Sequence, residues 1–177
     1  ETPLPENCAI QTVTLSNNRQ VDLRCYPDLQ AMMDACRDAG LSPVICSAYR
    51  TREQQEQLFQ AQTEQYLAQG YSRTRAEEEA GKAVAAPGTS EHQLGLAVDI
   101  VDADNQQLER SQEDTAVQRW LMAHSWEYGF ILRYPSGKSQ FTGIIYEPWH
   151  YRYVGREHAE QIHALNLCLE EYLADMS

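Results

Sequence analysis

Apolar and polar residues alternate over Thr12–Leu15 and again over Gln20–Leu23, with Asn17-Asn18 between them. That pattern predicts two short strands joined by a tight turn. The period then changes. Leu29, Met32, Met33 and Cys36 recur at helical spacing, behind Pro27 and ahead of Gly40, so a helix is expected from Pro27 to Gly40. Pro43–Ala48 reads as a buried strand. Thr51 and Gln54 form a capping box, which starts a helix over Arg52–Leu67 that stops at Gly70. A second, polar helix is expected over Thr74–Val84, carrying Glu77, Glu78 and Glu79.

Pro87–Gln93 reads as a loop and Gly95–Val101 as an apolar strand. Ser111 and Asp114 look like the cap of a helix that carries Val117, Trp120 and Leu121 and ends at Gly129. Phe130–Arg133 and Phe141–Tyr146 read as strands, with Pro135-Ser136-Gly137 turning between them, and His150–Val154 as another. A last helix over Arg156–Asp175 is expected to bury Ile162, Leu165, Leu169 and Tyr172 or Leu173. Strands and helices do not alternate regularly. The expected fold is therefore α+β, a single domain with a central, mainly antiparallel sheet flanked by helices.

Composition narrows the function. Of 177 residues, 42% are hydrophobic and 23% charged, which is globular, and no run approaches the roughly 18–20 apolar residues of a membrane span. The 14 basic and 26 acidic residues give a formal charge of −12. That argues against nucleic acid as a partner and offers no electrostatic pull towards an anionic membrane. The opening Glu-Thr-Pro-Leu-Pro-Glu-Asn resembles the start of a mature secreted domain, its signal peptide or anchor already removed. Of the five cysteines, Cys8, Cys25, Cys36, Cys46 and Cys168, none sits at a zinc-ribbon spacing. Buried thiols and one or two disulfides both fit. The reading leans to disulfides and an extracellular location, with the pairing open.

Chemistry concentrates in three segments. In Ser90–Asp99, His92 lies in a turn-rich loop and Asp99 inside an apolar strand, where a carboxylate needs a cation or strong hydrogen bonds. In Tyr146–Gly155, Pro148 prevents a regular strand between Glu147 and His150, so a turn can aim both into one cavity. His92, Asp99 and His150 make a three-ligand set that leaves a zinc position open for water, the catalytic pattern, with Glu147 placed to take the proton. In Ser47–Gln55, Arg50 falls where a strand meets a helix and can hold a carboxylate or a developing oxyanion, and Gln55 should face inward beside it. His124, His158 and His163 are weaker candidates. No serine has a nucleophile-elbow context, and the cysteines sit in core-like surroundings.

Together these segments resemble, in order and spacing, the motifs of VanY-type D-alanyl-D-alanine carboxypeptidases, a group of LAS-type zinc metallopeptidases that includes L,D-carboxypeptidases. Phe130–Pro135 and Thr142-Gly143-Ile144 resemble that family's connecting segment, and the likeness runs from about Asp28 to Leu173. It implies one Zn2+ on His92, Asp99 and His150, Glu147 as catalytic base, and Arg50 in catalysis and substrate binding. Gln55 and Ser90 would line the substrate pocket and Trp149 its wall. Residues 1–24 would form an N-terminal extension and 25–177 the carboxypeptidase domain. The implied reaction is removal of the terminal D-alanine from peptidoglycan stem peptides by direct attack of zinc-activated water, without an acyl-enzyme. The implied protein is a monomer at the outside of a bacterial cell, with no membrane contact in this segment. L,D cleavage of tetrapeptide stems, endopeptidase action and a non-catalytic zinc-stabilised wall-binding module stand as alternatives.

Overall fold

The computed structural model describes residues 10–176. Thr12–Thr14 (β1) and Gln20–Asp22 (β2) pair antiparallel about a turn in which Asn18 adopts φ 63°. The Asn17 amide ties this hairpin to the Ile45 carbonyl at 2.9 Å. Helix α1, Tyr26–Asp38, carries Pro27 in its first turn and buries Leu29, Met32, Met33 and Cys36, the expected stripe.

The main sheet is antiparallel throughout, in the order β3 (Pro43–Ser47), β4 (Ala97–Asp102), β6 (His150–Tyr153) and β5 (Phe130–Leu132). Side chains alternate across a strand, so each strand serves both faces. On one face Val98, Ile100, Tyr151 and Phe130 pack with α1 and with Val117 and Leu121 of α4, Ala116–His124. Each such side chain contributes roughly 1.5–3 kcal/mol by leaving water. Val21 of the hairpin belongs to this same core. Gln118 of α4 secures the contact, donating to the Ile100 carbonyl and accepting from the Tyr151 hydroxyl.

The opposite face carries Asp99 and His150, which are direct partners across β4 and β6. Ile131 on the same side packs with Ala159 and Ile162 of α6 (Arg156–Leu165) and Tyr172 of α7 (Leu169–Asp175). Between Ile45 and Ser47 the register of β3 shifts. Ile45 pairs with Ile100 and Ser47 with Asp99, so Cys46 is an extra residue and β3 bulges there. Two helices follow: α2, Arg52–Ala68, with the Thr51–Gln54 capping box in place, and α3, Arg73–Ala83.

Four expectations are corrected. Phe141–Tyr146 is not a strand: Ser139–Thr142 forms one helical turn (α5), stopped by Gly143 at φ +73°. The last helix is two helices, because Asn166 takes a left-handed conformation that ends α6, and Leu165 and Leu173 are exposed. Ser111 and Asp114 lie on a 3-10 turn, and the cap of α4 is Thr115, whose side chain accepts from the Gln118 amide. Cys25, Cys36, Cys46 and Cys168 are free thiols rather than disulfides, while Cys8 lies outside the described residues. Burial pushes Cys25 up to about 12 and Cys36 and Cys46 to about 11, so these thiols stay protonated at neutral pH.

One glycine fixes the approach to the site. Gly95 has φ +67°, and a Cβ there would lie 2.9 Å from the Asp22 nitrogen. That nitrogen already donates to the Gly95 carbonyl at 2.9 Å. Gly95→Ala is expected to cost about 1–3 kcal/mol, seen as a drop of several degrees in the thermal midpoint. An unchanged midpoint would contradict this account of the turn.

Candidate metal centre and active-site cavity

Ser90 precedes a 3-10 turn, Glu91–Leu94, that Gly95 ends in a left-handed conformation. The turn brings His92 back over the sheet, where its Nδ1 lies 2.7 Å from the Ala48 carbonyl. A carbonyl only accepts, so the ring proton sits on Nδ1 and the Nε2 lone pair is free. Nε2 faces Asp99 Oδ2 at 3.3 Å. From β6, His150 Nδ1 faces Asp99 Oδ1 at 3.2 Å and Glu147 Oε2 at 3.5 Å.

The donor atoms of His92, Asp99 and His150 all lie within 4.8 Å of one another, and all three residues are buried. Zinc bonds of about 2.0–2.1 Å in a tetrahedron place neighbouring donors about 3.3 Å apart. The His92 and His150 nitrogens lie 3.3 and 3.2 Å from different oxygens of Asp99, Oδ2 and Oδ1, so either oxygen has one ring nitrogen at about that distance. Asp99 Oδ1 is buried and has no hydrogen-bond partner, which fits a carboxylate oxygen reserved for a cation. Burial works against the charge on Asp99, but His92 and His150 hold its carboxyl well below the usual range. Burial pushes Glu147 the other way, up to about 7, with Asp99 and Glu91 adding to the rise and His150 and Arg50 opposing it. The residues present therefore fit one divalent metal ion, with a carboxylate beside it poised to exchange a proton near neutral pH.

Arg50 is locked by its neighbours. Its Nε and Nη2 donate to Ser47 Oγ at 3.1 and 2.9 Å, Nη2 also to Asp99 Oδ2 at 3.1 Å, and Nη1 to Gln55 Oε1 at 3.0 Å. The bulge in β3 makes this possible by setting Ser47 opposite Asp99. Gln55 is oriented in turn by donating to the Ala85 carbonyl at 2.7 Å. A guanidinium has five N–H donors, so one N–H on Nη1 stays available to the cavity.

All eight residues singled out from the sequence, Arg50, Gln55, Ser90, His92, Asp99, Glu147, Trp149 and His150, line one cavity of about 330 Å³. The other histidines lie apart from it. His124 pairs with Glu127, His158 with Tyr172, and His163 stacks on Trp126. Sequence reasoning missed Glu91, Arg133, Arg152 and Tyr134. The Tyr134 ring lies 4.8 Å from that of His150. Glu91 accepts from Arg133 at 2.7 Å and pairs with Arg152 at 2.9 Å. The available signal was charge in the wrong place: an acid flanking a candidate ligand, and an arginine closing an apolar strand.

The family model for VanY, D-alanyl-D-alanine carboxypeptidase, matches residues 18–156. A D-alanyl-D-alanine carboxypeptidase of Enterococcus faecalis is 46% identical over 98% of this chain, which spans 63% of that relative's length. Among solved structures, VanYB in complex with D-alanine-D-alanine superposes with a TM-score of 0.90 at 45% identity, covering 97% of this chain and 92% of that one. A mutant vancomycin-resistance D,D-pentapeptidase VanY in complex with Zn(II) has a TM-score of 0.87 at 44% identity, covering 97% and 93%.

Proposed function

Because the chain belongs to the VanY family of D-alanyl-D-alanine carboxypeptidases, we propose that it is a zinc carboxypeptidase that removes the terminal D-alanine from peptidoglycan stem peptides. The observation that carries this reading is the convergence of His92, Asp99 and His150 with Glu147 and Arg50 on one cavity.

His92 through Nε2, His150 through Nδ1 and a carboxylate oxygen of Asp99 would hold the ion. A zinc ion held there would supply Lewis acidity, lowering the pKa of a nearby water towards about 7. Glu147 accepts the proton of the attacking water and returns it to the leaving D-alanine amine, a two-way transfer suited to a group near pH 7. The free Nη1 donor of Arg50 meets the developing oxyanion or the substrate's terminal carboxylate, held on target by Ser47, Gln55 and Asp99. Ser90 and Gln55 border the substrate, and Trp149, Tyr134 and Ile144 wall it from water. No protein nucleophile enters, in keeping with the protonated, core-facing thiols.

The substrate lies outside the bacterial membrane, so the reading places the protein there, acting as a monomer. Among the described residues no helix is long and apolar enough to cross a membrane. The test is to incubate the zinc-loaded protein with purified pentapeptide and tetrapeptide stems and measure free D-alanine, with a chelated control. Chelator-sensitive release from pentapeptide is the expected result. Release from tetrapeptide alone would make the protein an L,D-carboxypeptidase, and release from neither would favour an endopeptidase or a wall-binding module.

A further inference from the structure

We propose that Glu91 is a positioning residue for the metal centre: it fixes the proton of His150 on Nε2, and Arg133 and Arg152 fix Glu91. The inference rests on the zinc reading above. Glu91 stands on the 3-10 turn directly before His92, so one short turn contributes both a ligand and this carboxylate.

Its two oxygens have different tasks. Oε1 accepts from Arg133 Nε at 2.7 Å and pairs with Arg152 Nη1 at 2.9 Å. Oε2 is buried without a hydrogen-bond partner and faces His150 Nε2, likewise buried and without one, at 3.6 Å. Two orphaned polar atoms thus point at each other just beyond hydrogen-bond reach. His150 turns its other nitrogen, Nδ1, to Asp99 and Glu147. A lone pair on Nδ1 obliges the proton to sit on Nε2, where it needs an acceptor, and the carboxylate of Glu91 supplies one.

The arginines make that acceptor rigid. Arg133 is one residue beyond β5, and its Nη1 and Nη2 donate to Glu170 on α7 at 2.9 and 2.6 Å. Arg152 follows His150 by two residues on β6. Glu91 is thereby held from β6 and from the residue that follows β5, and both contacts fall on Oε1, which leaves Oε2 facing the ring.

The experiment compares zinc affinity, by competition with a chromophoric chelator, in wild type, Glu91→Gln and Glu170→Gln. Glu170→Gln removes a charge beside Arg133 while leaving in place the Arg133 and Arg152 contacts to Glu91 and the ring. The expected result is zinc binding weakened about 10–100-fold in Glu91→Gln and within about threefold of wild type in Glu170→Gln. Affinity in Glu91→Gln within twofold of wild type would overturn the proposal, as would equal weakening in both variants, which marks a loss of packing alone. Should Glu91→Gln not fold, the zinc-loaded wild type labelled with 15N-histidine decides. A slowly exchanging, downfield Nε2–H resonance of His150 supports the proposal and its absence overturns it. Wild type that binds no zinc overturns both this inference and the metal reading.

Discussion

Glu147→Gln is expected to lower kcat/KM for D-alanine release by about 10²–10⁴-fold while leaving zinc stoichiometry at the wild-type value. The substitution keeps the volume of a side chain that is buried against His150 and removes only its capacity to take a proton. His92, Asp99 and His150 are untouched, so the ion stays. Burial holds Glu147 at about 7, which lets the same carboxyl act as base and then as acid within one turnover. The amide can do neither. Full activity at full zinc occupancy would remove Glu147 from the mechanism and leave Arg50 to account for the rate.

Asp99→Asn is expected to abolish the response of the protein to zinc. In the wild type, zinc at 100 times its dissociation constant should add about 2.7 kcal/mol to the folded state, raising the midpoint of thermal unfolding by about 5–10 °C. Asp99 is the one anionic member of the three-residue cluster, and an amide replaces its charge with a weaker donor oxygen. Without zinc the variant also suffers, since Arg50 loses its ionic partner at Oδ2. Scanning calorimetry with and without zinc separates the two effects. A zinc-induced shift in Asp99→Asn as large as that of wild type would show that the ion binds elsewhere.

The sequence disclosed the ligands more fully than the frame around them, for physical reasons. Asp99 was conspicuous because a charge inside an apolar strand demands a partner, and Pro148 marked the turn that carries Glu147 to His150. The stripe of α1 and the capping box of α2 are local signals, and both elements formed as expected. Phe141, Ile144 and Ile145 were misread as a strand because their apolar spacing hid the stop at Gly143, where Thr142 caps the Ile144 amide at 3.3 Å. Asn166 was passed over because a left-handed asparagine breaks a helix without the signature of proline or glycine. The Glu91–Arg133–Glu170 chain joins residues 37 and 42 positions apart, so only the tertiary fold brings them together.

The bulge at Cys46 has a consequence for how this strand can vary over evolutionary time. Pairing resumes at Ser47 only because one surplus residue has been absorbed, and side chains swap faces with every residue added or removed. The strand can therefore accept new side chains while its residue count stays fixed. One residue inserted between Cys46 and Ser47 would shift the register again and turn Ser47 away from Asp99, taking with it the anchor that two nitrogens of Arg50 share. In this stretch, length is the inherited character and side-chain identity the adjustable one.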